Sequence, residues 1–193
     1  MDTFESYRVP AALPAIADES RRLRFVFASD LELGPLLRTL AASKAGGRLL
    51  EIGTGTGVGT AWLLDGMDRT ARLDSVERNA DVQEIARRHL SADPRVNFVL
   101  GDAEDFLRGA PAATYDLIFA DGGPGKIDGL DLAIRLLKPG GLYVGDDLRP
   151  HLLQEDGRAR RVRAFEEEIR ARPDLAVVRL DWSSGVVVAA RRT

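Results

Sequence analysis

Cysteine is missing from the chain altogether. Its absence excludes disulfides and thiolate chemistry and agrees with a reducing cytoplasm, the expected location. Histidine is scarce. There are only His89 and His151, and no Gly-x-Ser-x-Gly elbow accompanies them, so no hydrolytic triad is suggested. Long apolar runs are lacking too: a stretch such as Val186 to Ala190 is far too short to cross a bilayer, and no membrane partner is expected. The opening Met1-Asp2-Thr3-Phe4-Glu5 shows no basic region leading into an apolar core, so no secretory signal is expected. Positive charge is not in excess. The formal net charge is −3, which argues against a general nucleic-acid binder.

The 193 residues are 45% apolar and 30% charged, enough apolar surface to offset the entropy of ordering one domain. Short Val/Ile/Leu-rich runs alternate with helical patterns, which indicates an α/β fold with a mostly parallel sheet. Strands are predicted at 48–53, 72–77, 96–101, 115–121, 141–147, 175–182 and 185–191. Ser29 with Glu32 reads as a capping box ahead of the stripe Leu33, Leu36, Leu37, Leu40. Val82, Ile85, Ala86 and Leu90 mark a helix over 81–91. Ile127, Leu130, Ala133, Ile134 and Leu137 mark another, stopped by Pro139-Gly140-Gly141. Val162, Phe165 and Ile169 mark a late helix ending before Pro173. Residues 1–28 read as a helical arm broken near Pro14, with Phe25, Val26 and Phe27 packing onto a core of 29–193. The last two strands are joined only by a polar turn with Ser183, Ser184 and Gly185. So short a connection permits an antiparallel hairpin and not a crossover.

The glycines are not scattered. Glu51-Ile52-Gly53-Thr54-Gly55-Thr56-Gly57-Val58-Gly59 runs from a strand straight into a helix. Such a loop turns tightly and lets a ligand approach the backbone, while the helix end offers free N–H groups. No frame satisfies Gly-x-Gly-x-x-Gly, since Val58, Thr60 and Trp62 stand where the third glycine belongs, and no Gly-Lys-Ser/Thr follows. A dinucleotide site and a P-loop are therefore excluded. Glu77 ends the second strand, where a carboxylate can accept two ribose hydroxyls. The third strand ends in the acidic turn Gly101-Asp102-Ala103-Glu104-Asp105. Tyr115-Asp116-Leu117-Ile118-Phe119-Ala120-Asp121 and Lys138-Pro139-Gly140-Gly141 then follow.

In that order and spacing these segments resemble the class I S-adenosylmethionine-dependent methyltransferases. They are most similar to the small O-methyltransferases of the catechol and caffeoyl-CoA type, over about residues 30–191. The resemblance implies a Rossmann-like sheet of seven strands in the order 3-2-1-4-5-7-6, the last antiparallel, with helices on both faces. It implies S-adenosylmethionine as cofactor, with Gly53, Gly55 and Gly59 along its methionine part and Glu51 near the amino group. It further implies Glu77 (with Arg78 beside it) on the ribose, Asp102, Ala103 and Glu104 bordering the adenine, and Asp121 facing the cofactor.

Methyl transfer is an in-line displacement at a sulfonium-bound carbon, so the protein must align the acceptor and exclude water. An oxygen acceptor must also lose a proton. In metal-dependent relatives an Asp after the fourth strand and an Asp-Asn pair after the fifth hold a hard cation such as Mg²⁺. Here the corresponding residues are Asp121, Asp146 and Asp147. Both members of the pair can face one ion only if the strand has already bent. The alternative reading has Asp121 on the cofactor, Asp146 capping a strand end and Asp147 opening a turn. The Lys those relatives carry three residues after the fourth-strand Asp is Pro124 here, and Lys126 lies two residues further on. Lys126, Asp121 and His151, whose ordinary pKa suits proton removal near neutrality, are the candidate catalytic residues. His89, beside Arg87 and Arg88, reads as part of a solvated helix face.

A small-molecule acceptor is expected. No Asn/Asp-Pro-Pro-Tyr follows the fourth strand to grip a planar amino group, and no added domain offers a channel for RNA. Two alternatives stand beside it: a cofactor-binding module without transfer activity, motivated by Pro124 and the short 122–126 loop, and a methyltransferase acting on a non-oxygen or macromolecular acceptor, since the acceptor site lies in variable loops. The arm and the hairpin edge suggest a homodimer.

Overall fold

The computed structural model describes residues 8–25, 32–149 and 157–193. Seven strands form one sheet: β1 (Arg48–Ile52), β2 (Arg72–Glu77), β3 (Val96–Leu100), β4 (Tyr115–Ala120), β5 (Leu137–Gly145), β6 (Leu175–Leu180) and β7 (Val186–Arg191). Their order is β3-β2-β1-β4-β5-β7-β6, the order expected. The first five pair in parallel, and β7 runs antiparallel to both β5 and β6. β1 and β4 lie at the centre and are almost wholly buried, which is why they read as continuous apolar runs rather than alternating ones.

Helices α1 (Leu13–Leu23), α2 (Leu33–Ala42), α3 (Val58–Gly66) and α4 (Ala80–Leu90) fill one face. Helices α5 (Ala103–Gly109), α6 (Leu130–Leu136) and α7 (Arg158–Ala171) fill the other. The stripes of α4 and α7 are buried as the periodicity predicts. Asn79 caps α4 by accepting from the Asp81 and Val82 N–H groups, and Arg87, Arg88 and His89 sit where the helix dipole favours cations.

Four local readings change. Pro14 starts α1 instead of breaking it, because proline lacks only an N–H that the first turn leaves unpaired anyway. Glu32 stands at the N-cap position of α2 itself, while Ser29, Val26 and Phe27 lie outside the described residues. The acidic turn after β3 is the start of a helix, α5, capped by Asp102. Finally, β5 begins at Leu137 and carries Pro139-Gly140-Gly141 within its irregular first half, so α6 is shorter than its stripe suggested. Among the described residues no helix is long and apolar enough to cross a membrane.

Candidate active site

The carboxyl ends of β3, β2, β1, β4 and β5 open on one edge of the sheet, and the chain order reverses between β1 and β4, where open α/β sheets form their crevice. The glycine loop sits there. Gly53 has φ 95°, and its N–H and that of Thr54 both donate to Val76 O, pinning the loop onto β2. A Cβ on Gly53 would lie 3.0 Å from the Gly122 nitrogen, so the loops after β1 and β4 meet at that residue. Gly57 has φ 97° and a Cβ there would come 2.8 Å from Ala86 Cβ, so glycine is needed for α3 to pack on α4. Gly57 caps α3 without a side chain, leaving first-turn N–H groups for a ligand. Gly59 lies inside that first turn and is buried.

Glu77 is half-buried and already oriented. Its Oε2 accepts from Gly55 N–H at 3.0 Å, and its Oε1 from Arg78 and Asn79 N–H at 3.0 Å each. A carboxylate offers about four acceptor positions, so one side remains for a ligand. Arg78 takes part through its backbone, and its side chain is exposed. Asp102 is exposed and accepts from Glu104 and Asp105 N–H. Ala103 and Glu104 border it half-buried, with Glu104 paired to Arg108 along α5. Glu51, Glu77 and Asp102 thus mark successive strand ends of one crevice.

Glu51 differs from the others in being completely buried. Its Oε2 accepts from Thr60 Oγ1 at 2.5 Å and Ser75 Oγ at 2.6 Å, while Oε1 is buried without a partner. Burial pushes its pKa up to about 8, against the two hydroxyl bonds and with help from the charges of Asp121 and Glu77. Sequence reading missed Thr60, Ser75 and Thr54, which bonds Ser75 at 2.7 Å. Thr60 lies in the first turn of α3 and Ser75 on β2, so no local pattern marks either as a partner of Glu51.

The arm closes on the same loop. Leu13, Ile16 and Ser20 form the buried face of α1, and Ser20 Oγ bonds both Ile16 O and Thr56 Oγ1 at 2.7 Å. Arg24 turns the chain with φ 55°, and the Phe25 ring then lies over Gly55, 3.3 Å from where a Cβ would be. Glu19 bonds His89 Nε2 at 2.8 Å and Arg88 at 2.5 Å. The face of α4 read as solvated is therefore partly covered: His89 is half-buried under the arm, and Arg87 lies over the Phe98 ring while bonding Phe98 O.

On the acceptor side, Asp121 follows β4, and its N–H, like that of Gly122, donates to Ile52 O. The 122–126 loop is tied down: Gly125 N–H donates to Asp128 O at 2.6 Å, and Tyr143 OH donates to Gly125 O at 2.8 Å. Lys126 is 2% exposed, and its Nζ donates to Asp146 O at 2.6 Å. Burial lowers its pKa, opposed by the charges of Asp121, Asp147 and Asp146. Asp146 is buried; its Oδ1 accepts from Ser184 Oγ and its Oδ2 has no partner. Burial raises its pKa to about 6. The chain does bend after β5: Asp147 has φ 58°, its carbonyl accepts from Arg158 at 3.2 Å, and its carboxylate lies 4.0 Å from the same guanidinium. Among the described residues no group of three or more histidine, aspartate or glutamate side chains converges closely enough to hold a metal ion. His151 lies outside the described residues.

A crevice built this way, on this strand order, is matched by known sequences. The pattern of the family described as "Methyltransferase domain" fits residues 50–148. The chain belongs to that family. Its methyltransferase core is 30% identical over 178 residues to a protein from Mycobacterium sp. (strain JLS) that carries a provisional O-methyltransferase name, a match spanning 82% of this chain and 77% of that one. Among solved structures, the O-methyltransferase of tomaymycin synthesis from Streptomyces achromogenes, in complex with S-adenosylmethionine, superposes with a TM-score of 0.83 at 26% identity, covering 98% and 94% of the two chains. An O-methyltransferase from Bacillus cereus in complex with S-adenosylhomocysteine superposes with a TM-score of 0.84 at 23% identity, covering 99% and 94%; that likeness is one of fold.

Proposed function

We propose that the protein transfers the methyl group of S-adenosylmethionine to a hydroxyl oxygen of a small molecule. The observation that carries the reading is the pinned carboxylate Glu77, held by Gly55, Arg78 and Asn79 N–H groups beside a glycine loop whose helix has free N–H groups. That arrangement fits a ribose and a short charged tail better than a pyrophosphate.

When bound, the cofactor supplies a methyl group made electrophilic by its sulfonium. Everything else falls to the chain. Glu77 accepts the ribose hydroxyls. Asp102, Ala103 and Glu104 border the adenine edge, and the half-buried Gly53 and Gly55 let the methionine part lie on the backbone. Glu51 places a carboxyl group beneath that tail, where an ammonium would favour its ionised form. Asp121 faces the sulfonium side, and the arm with Phe25 excludes water. Lys126 holds its amino group on Asp146 O beside the acceptor, and His151, in the segment after β5, serves as the base that takes the hydroxyl proton. The segment Asp121-Gly122-Gly123-Pro124 offers no planar clamp for an amino group, which favours oxygen over nitrogen.

Calorimetry with S-adenosylmethionine and S-adenosylhomocysteine tests this directly. Glu77→Ala is expected to weaken both by about tenfold or more, the scale of a charge-assisted hydrogen-bonded pair. Unchanged affinity would sink the ribose assignment. Tight binding without transfer to any of a broad panel of phenols, catechols and aliphatic alcohols would instead mark a binding module.

A further inference from the structure

Glu51 is closed off from water, yet hydrogen bonds tie its carboxyl group to both sides of the glycine loop. Ser75, its register partner on β2, donates to Oε2 at 2.6 Å, and the Ser75 hydroxyl in turn meets that of Thr54, inside the loop, at 2.7 Å. Thr60, in the first turn of α3, donates to the same oxygen at 2.5 Å. Both donors therefore converge on Oε2. Oε1 is buried with no partner at all.

An ionised carboxylate with one bare oxygen in a dry pocket is costly. The groups packed on Glu51 bring it no positive charge. Its register partners are Ser75 on β2 and Phe119 on β4, and α3 contributes Thr60. The charges that act on it, Asp121 after β4 and Glu77 at the end of β2, are both acids and repel a further negative charge. A proton on the carboxyl group relieves the desolvation and the repulsion together. Burial, more than these neighbours, accordingly pushes its pKa up to about 8.

What this carboxyl group lacks is a cation, and a methionine tail lying along Gly53 and Gly55 carries one. An ammonium beside a buried acid favours its ionised form. We propose that Glu51 is a neutral acid before the cofactor binds and gives up its proton as the cofactor's ammonium arrives, so that binding exchanges one buried proton for one cation. The carboxyl O–H bond breaks, its electron pair stays on the carboxylate, and the proton passes to the buffer; no bond of the cofactor changes. Glu51 thereby favours ligands that bring an ammonium, and favours them more as pH rises. The inference rests on the methyltransferase reading, but its test does not require turnover.

Calorimetry of S-adenosylhomocysteine binding to the full chain, run in buffers of low and high ionisation enthalpy, counts the protons released. At about pH 6.5, where the ligand's own ammonium stays charged, release of about one proton per site is expected. The affinity is expected to rise by up to about tenfold per pH unit and to level off above about pH 8. Glu51→Gln, which copies the shape of the neutral acid, is expected to release none and to lose this pH dependence. 5′-Methylthioadenosine, which keeps the ribose and lacks the ammonium, is expected to release none from the wild type. Should Glu51→Gln not fold, infrared difference spectra of the wild type decide: the stretch of a protonated carboxyl group is expected to vanish when S-adenosylhomocysteine binds. Binding without proton release would overturn the proposal and leave the methyltransferase reading standing. So would a release that survives Glu51→Gln, or an equal release by 5′-methylthioadenosine. Failure of both S-adenosylhomocysteine and S-adenosylmethionine to bind at any pH would overturn the methyltransferase reading and this proposal with it.

Discussion

Glu51 sits at the centre of the sheet with half of its carboxyl group unpartnered, and the proton is what makes that tolerable. A buried carboxylate is costly, whereas a protonated acid flanked by two hydroxyls is not. The folded chain holds this proton up to about pH 8, while an unfolded chain releases it near the ordinary value of 4.5. The unfolded state therefore binds fewer protons in that window, and the contribution of this group to stability is present below it and lost as pH rises through it. Glu51→Gln mimics the protonated acid. Thermal midpoints measured between about pH 5 and pH 9 are expected to fall less steeply in Glu51→Gln than in the wild type. Parallel slopes would show that Glu51 is ionised throughout. Gly57 is constrained differently, by a left-handed backbone and by Ala86 only 2.8 Å from an added Cβ. Gly57→Ala is expected to cost about 1–3 kcal/mol or more in urea unfolding, from backbone strain and displacement of α4.

At the level of elements, the arm matters more than its length suggests. α1 is held to the glycine loop by one buried hydroxyl pair, Ser20 to Thr56, and to α4 by Glu19 with Arg88 and His89. Ser20→Ala leaves Thr56 Oγ1 without that partner, a loss of about 1 kcal/mol for a single hydrogen bond. The expected result is faster amide exchange across α1 and a cofactor affinity lowered about fivefold. Unchanged exchange would mean the arm is held by Leu13 and Ile16 packing alone. The helices themselves were legible where a stripe of large apolar residues ran through them, as in α4 and α7. α5 was not, because its seven residues bury only Leu107 and its capping Asp102 looks like any acidic turn. The start of β5 was misplaced for a related reason: Pro139-Gly140-Gly141 carries a stop signal, and only pairing with β4 shows that the strand has already begun.

For the molecule as a whole, the cofactor crevice joins strands, loop and arm, so filling it should stabilise all of them. S-adenosylhomocysteine at about one hundred times its dissociation constant is expected to add about 2.7 kcal/mol, a rise of several degrees in thermal midpoint. No rise would contradict binding to the folded chain.

The strands, the glycine loop and the acidic strand ends were readable from residues alone, and the strand order came with the family resemblance. Apolar runs, turn chemistry and charged ends are local properties, and a known family arranges them in this sequence. What waited for the tertiary structure was the electrostatics inside the crevice. Nothing local marks Thr60 and Ser75 as the partners of Glu51, because they come from a helix and a neighbouring strand. Nor does spacing place Lys126, displaced along the chain from the position its relatives use. Only the folding back of the 122–126 loop brings its amino group onto Asp146 O. Burial and the distance between charges are properties of the folded chain, and they decide which of its acids stay charged.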